Sequence, residues 1–255
     1  MADNVFQESA GTDPDAGLPN VLDLVATTVA EVQKDPMGFI VGGLIPGLSI
    51  IGLTFVAVFG VYGIGFLGAL PGIMADDEDL AALGGVSALL LAMMLLILVI
   101  VAVTTPIWAS MYRAVWALLV RGEKLTIGAP FSTIGQDLVP LLTYTLLSAA
   151  IVSAGVVFCY LPGILAQGML MFAWPAIVVH RMPVGRAIQW SVSHAMTHPG
   201  WHLGLWAVSF AMSLVLPYFP IVGYMLLFTI HPLFVLLAYR ACAGDGEHHR
   251  EAEAF

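Results

Sequence analysis

The sequence predicts an all-α integral membrane protein. Six transmembrane helices form three hairpins, each preceded by an amphipathic helix on the cytoplasmic interface. Three observations lead there. Of the 255 residues 60% are hydrophobic and only 10% charged, against about 25% charged in a soluble domain. Uncharged apolar runs long enough to cross a bilayer, about 20 residues, recur from residue 38 onward. All 8 basic residues, Lys34, Arg113, Arg121, Lys124, Arg181, Arg186, Arg240 and Arg250, fall in alternate loops or near the chain ends. The positive-inside rule then puts both termini in the cytoplasm and the turns at Pro71, Pro162 and Pro220 on the other side.

Residues 1–19 are acidic, rich in Gly and Pro, and lack the basic-then-apolar layout of a signal peptide, so they read as a disordered tail. Residues 242–255 form a similar tail, and 20–241 between them make one membrane domain. Asn20 caps an interfacial helix over 20–34, with Leu22, Val25, Val29 and Val32 as its apolar stripe and Asp23, Thr27 and Glu31 opposite. Residues 38–47, with Pro46-Gly47, read as a bent lead-in to a first span over 48–70. The pairs Gly38/Gly42 and Gly43/Gly47 let another helix backbone approach, within the chain or across a dimer. Pro71-Gly72 turns the chain. Asp76, Asp77, Glu78 and Asp79 then read as a solvated loop, because consecutive acids lack the spaced ligands and turn glycine of a calcium loop.

The second span, 81–108, carries a kink at Pro106, where the hydroxyls of Thr104 and Thr105 can bond carbonyls that the proline frees. A short interfacial stretch over 129–138 leads into the third span, 138–160. Leu161-Pro162-Gly163 turns it into the fourth, 164–179, kinked at Pro175. His180-Arg181 is its charged stop. Pro183 opens an amphipathic helix over 184–198, with Val184, Ala187, Ile188, Val192, Ala195 and Met196 on one side and Arg186, Gln189, Ser193, His194 and Thr197 on the other. Arg181, Arg186, Trp190, His194 and His198 are its interfacial residues. The fifth span, 201–216, turns at Pro217-Tyr218-Phe219-Pro220 into the sixth, 221–239, kinked at Pro232.

Within the spans only His231 is plainly an ionisable group, and a buried one is expensive enough to be a functional candidate. It either bonds a neighbouring polar group or, with Thr104, Thr105, Gln167 and Ser209, lines a small polar lumen. No span carries an Asp or Glu in its interior, which disfavours an ion-coupled transporter. His194, His198 and His202 stand four apart, a spacing that suits a metal, but Pro199-Gly200 interrupts them and no carboxylate completes a shell. No metal site or cofactor is therefore assigned. The motifs H-E-x-x-H and G-x-S-x-G, a phosphate loop and paired intramembrane aspartates are absent from the sequence, so no enzymatic machinery is predicted. Cys159 and Cys242 fall on opposite faces and do not pair. The net charge of −9 excludes nucleic acid as a partner. Membrane lipids remain, with a membrane-protein partner or a second copy.

From Trp108 to about Val215 the chain resembles the six-helix membrane domain of bacterial glycerophosphoryl diester phosphodiesterases and its free-standing relatives. The resemblance rests on the aromatic and proline at Phe172 and Pro175, the apolar run to Val179, Ala187 and Ser191 in the amphipathic helix, and Pro199-Gly200 before the next span. The soluble phosphodiesterase domain has no counterpart here, so its activity is not implied. The resemblance implies a bacterial inner-membrane protein, an accessory to lipid metabolism or to a larger membrane assembly. A scaffold or accessory role in lipid or envelope processes is the expected function, with a transporter or channel-like bundle around His231 as the alternative.

Overall fold

The computed structural model describes residues 17–131, 133, 136–158, 160–219 and 221–243. Nearly all of the two predicted tails, 1–16 and 244–255, lies outside the described residues. The described chain is an all-α bundle, and six of its apolar stretches are long enough to cross a membrane.

Helix α1 (Val21–Lys34) begins where Asn20 Oδ1 accepts the Leu22 N–H at 2.9 Å. Leu24 and Thr28 are buried in the bundle, whereas Leu22 and Val29 of the expected stripe are exposed. The apolar stripe is thus divided, with Val25 and Val32 packed against the core and Leu22 and Val29 turned away from it. Asp35 caps α2 (Pro36–Met74), taking the Gly38 N–H at 3.0 Å. The lead-in over 38–47 is not a separate element: α2 continues through Pro46 as one helix of 39 residues, about 58 Å at 1.5 Å per residue. A Cβ on Gly43 would stand 2.0 Å from the Met225 carbonyl oxygen, so α2 rests backbone to backbone on the last helix at this level.

Helix α3 (Glu78–Arg121) returns antiparallel to α2 and ends at Gly122, whose φ of 67° is the left-handed cap that glycine adopts freely. Between the outer arms, Gly68, Gly72 and Gly84 are the close-approach positions: added Cβ atoms would meet Ala88 Cβ at 2.4 Å, Ala81 N at 2.1 Å and Gly68 O at 2.3 Å. Pro106 lies inside α3, and Thr104 Oγ1 donates to the Ile100 carbonyl at 2.7 Å.

Ahead of Leu138 the described residues of the stretch over 129–138 are not α-helical and contain one 3-10 turn, Ala129–Phe131. Gly128 and Pro130 explain this, since one disfavours helix and the other removes an N–H. Helix α4 (Leu138–Phe158) follows, and α5 (Tyr160–Met169) starts two residues after it with Pro162 in its first turn. The fourth span is two helices, α5 and α6 (Ala173–His180), separated by a turn at Leu170–Phe172. Pro175 sits in the first turn of α6, where no helical N–H bond is lost, so it is not a kink.

Pro183 precedes α7 (Val184–Thr197), and Pro199 opens α8 (Pro199–Val215). A 3-10 turn, Leu216–Tyr218, leads towards α9 (Val222–Ala243), which holds Pro232 in its interior. The core lies where the basic half of α3, α6, α8 and α9 meet: Met111, Val115, Phe172, Ala176, Leu205 and Phe234 are each 0% exposed.

Candidate functional site

Three polar clusters lie within or against this core. The first joins α8 to α9. Ser209 Oγ and His231 Nε2 are 2.6 Å apart and share a hydrogen bond, and the Trp108 ring meets the imidazole edge-on at 5.8 Å. His231 Nδ1 is buried and has no hydrogen-bond partner among the described residues. The other members of the expected lumen do not join them. Thr104 bonds its own helix, Thr105 Oγ1 lies 3.5 Å from Thr145 Oγ1 between α3 and α4, and Gln167 is exposed on α5. Thr229, fully buried, donates to the Met225 carbonyl at 3.2 Å. Of the five predicted residues, then, only Ser209 and His231 come together.

The second cluster surrounds Phe172 in the break between α5 and α6. The Phe172 N–H donates to Ser191 Oγ at 3.2 Å, and that hydroxyl donates to the Met169 carbonyl at 2.6 Å. One serine of α7 thereby serves both a donor and an acceptor left over by the break. Rings of Trp190, His194, Trp201, His202 and Tyr239 stand 4.8–6.2 Å from the Phe172 ring. Trp190 and His194, expected at the interface, are therefore turned towards the core, and Met196, on the apolar side by its spacing, is exposed.

Pro199 does not separate the three histidines. Helix α8 restarts at once, and the His194 ring lies 4.8 Å from that of His198 and 5.8 Å from that of His202. His202 Nε2, however, is 3.0 Å from the Gly168 carbonyl oxygen, and no group of three ligating side chains among the described residues is arranged to hold a metal ion. Nearby, His180 Nδ1 and the Tyr239 hydroxyl are 2.6 Å apart, and Trp201 Nε1 donates to the Pro19 carbonyl at 2.7 Å.

The third cluster escaped sequence reasoning. Arg113, with a side chain 14% exposed, donates from Nη2 to Asp137 Oδ2 at 2.9 Å, from Nε to the Val178 carbonyl at 3.2 Å and from Nη1 to the Thr133 carbonyl at 3.4 Å. It ties α3 to α6 and to the segment before α4. Arg181 Nε lies 3.5 Å from the same carboxylate oxygen but is largely exposed, as is Arg186. Both Asp137 and Arg181 adopt left-handed backbone conformations, φ 54° and 52°. The legible signal was Arg113 itself, since a charge inside a packed helix calls for a partner and Asp137 is the acid nearest the next helix start.

Two cavities open beside these clusters. One, of about 350 Å3, is lined by Asp137, Thr143 and Arg181 together with Val139, Ile177 and Val184. The second, of about 340 Å3, lies among α5, α7 and α8, with Leu165, Met169, Leu203 and Trp206 in its walls. Comparison of the chain with protein-family models, curated proteins and solved structures finds no match.

Proposed function

We propose that the chain is a multi-pass membrane protein without an enzymatic activity of its own. It acts as a scaffold or accessory factor for lipid or envelope processes, or within a larger membrane assembly. Both termini face the cytoplasm of a bacterial inner membrane, a placement supported by the alternation of the basic residues and by the resemblance of residues 108–215. The α1 and α7 helices lie at the cytoplasmic interface. The observation that carries the reading is the local engagement of the polar side chains. Ser209 with His231, Thr105 with Thr145, Ser191 with the α5–α6 break, and Arg113 with Asp137 each satisfy one joint of the bundle. A transport path needs polar groups that converge on a common space, whereas here the two cavities have largely apolar walls that suit acyl chains.

The test is reconstitution. Purified protein in vesicles is expected to pass protons and small solutes no faster than empty vesicles do, while cross-linking in native membranes recovers a membrane-protein partner or a retained phospholipid. Flux that disappears in a folded His231→Asn variant would instead establish the transporter alternative.

A further inference from the structure

The two cavities differ in charge. The one among α5, α7 and α8 has no Asp, Glu, Lys or Arg in its wall. The other lies between the start of α4, which contributes Val139 and Thr143, and the end of α6 with its exit, which contributes Ile177, Arg181 and Val184; Asp137 completes it. The charges around it do not cancel. Arg113 donates to Asp137 Oδ2 at 2.9 Å and to the Val178 and Thr133 carbonyls at 3.2 and 3.4 Å, so one guanidinium is matched with the one carboxylate. Arg181 is left over. Its Nε stands 3.5 Å from the same Asp137 oxygen, its side chain is 69% exposed, and neither Nη group has a hydrogen-bond partner among the described residues. Two guanidiniums against one carboxylate leave a positive charge at the cavity.

The backbone adds to that charge. The end of α6 is covered, because the Met182 N–H donates to the Ala176 carbonyl at 3.2 Å and Arg113 holds the Val178 carbonyl. Helix α4, in contrast, begins at Leu138 beside the cavity. The first-turn N–H groups of a helix and the positive end of its dipole favour an anion. What carries the anion follows from the walls. A free phosphate would leave Val139, Ile177 and Val184 against water, whereas a phosphate that bears acyl chains uses the charge and the apolar wall together. A volume of about 350 Å3 holds a headgroup and the first part of a chain, with the remainder in the surrounding bilayer.

We propose that this cavity binds one anionic phospholipid, with its phosphate on Arg181 and the start of α4 and its upper chain along Val139, Ile177 and Val184. The proposal rests on the membrane placement and on the accessory reading above, to which it adds the class of lipid and the residues that select it.

The experiment titrates the full chain in detergent by native mass spectrometry. Its probes are phosphatidylglycerol, whose headgroup is an anion, phosphatidylcholine, whose phosphate is balanced by an ammonium, and glycerol 3-phosphate, which has no chain. One phosphatidylglycerol is expected to bind about tenfold more tightly than phosphatidylcholine and to resist displacement by glycerol 3-phosphate in large excess. Arg181 has a φ of 52°, where glycine is the ordinary residue. Arg181→Gly therefore removes the guanidinium without backbone cost and is expected to abolish the preference while circular dichroism stays unchanged. Arg186→Gln, at an exposed arginine outside the cavity wall, is expected to keep it. Val139→Trp, at a position 75% exposed, fills the cavity and is expected to weaken phosphatidylglycerol by a similar factor. Equal affinity for the two lipids overturns the proposal, as does unaltered binding in Val139→Trp. An Arg186→Gln loss as large as that of Arg181→Gly overturns it in favour of general surface charge, and displacement by glycerol 3-phosphate overturns it in favour of a free phosphate. The vesicle flux measurement judges the scaffold reading separately, because it does not depend on which lipid this cavity selects.

Discussion

Helices α2 and α9 invert the usual relation between hydropathy and burial. The most apolar stretch of α2 has a mean hydropathy of 2.3 and is 12% buried, whereas that of α9 scores 1.8 and is 61% buried. The difference lies in neighbours. Helix α9 carries Leu233, Phe234, Val235 and Leu236 at 0% exposure because α1, the inner part of α2, α3 and α8 surround it, and it includes a histidine and a serine-bonded joint. The outer part of α2 has one neighbour, α3, held against it by glycines. Apolar character therefore measures compatibility with lipid or core alike, and only shape complementarity decides which a helix receives.

The largest effects should come from the sealed region. Phe172→Ala removes the ring on which five others close and is expected to cost about 3–5 kcal/mol, whereas Phe59→Ala on the exposed arm should stay within about 0.5 kcal/mol. Unfolding in mixed detergent micelles, followed by circular dichroism, measures both. Equal costs would mean that the two regions do not differ in packing. Arg113→Met comes next. It removes three hydrogen bonds and leaves Asp137 with Arg181 alone, a loss of about 3 kcal/mol. Arg113→Lys should restore only part of this, since an ammonium cannot reproduce the planar reach to three acceptors. Full recovery with lysine would reduce the cluster to a simple charge pair.

A smaller effect is expected at the α8–α9 joint. His231→Leu leaves Ser209 without its imidazole, but a serine hydroxyl in a helix can turn to its own backbone carbonyl, so the cost should be about 1 kcal/mol. A double-mutant cycle with Ser209→Ala isolates the pair and should show a coupling near that value. A coupling of zero would mean that the 2.6 Å contact contributes nothing to stability.

The boundary between the two regions was only partly legible in the sequence. Helix type and approximate extent follow from the apolar runs, and Asn20 acts as the predicted cap. The break at Leu170–Phe172 was hidden because those residues are as apolar as their flanks. It is held by Ser191, 19 residues away in sequence, whose hydrogen bonds no local pattern encodes. Arg113 and Asp137 are 24 apart and meet through tertiary packing. His194 reads as polar by periodicity yet packs as a ring, because an imidazole is flat enough to stack on Trp190 at 5.7 Å. Pro46 suggested an interruption, yet α2 runs through it as one helix. The proline in the first turn of α6 shows the reverse error, since its cost depends on its position relative to a break that the sequence did not reveal.

The smallest expected effect gives the sharpest contrast within α2. Gly60 and Gly68 lie two turns apart on one helix, and Gly→Ala at either adds the same methyl group and the same helix preference, up to about 1 kcal/mol in favour of Ala. Around Gly60 no atom lies within 4 Å of the added Cβ, so Gly60→Ala should be neutral or stabilising by up to that amount. At Gly68 the Cβ would stand 2.4 Å from Ala88 Cβ and 2.6 Å from the Gly84 carbonyl oxygen. The hairpin must open to admit it, at a cost of about 1–3 kcal/mol that outweighs the preference. Opposite signs in the same unfolding measurement would establish that the arms are held by each other and face lipid elsewhere. If Gly60→Ala were the more damaging of the two, the free side of α2 would be a packed surface and the contrast with α9 would disappear.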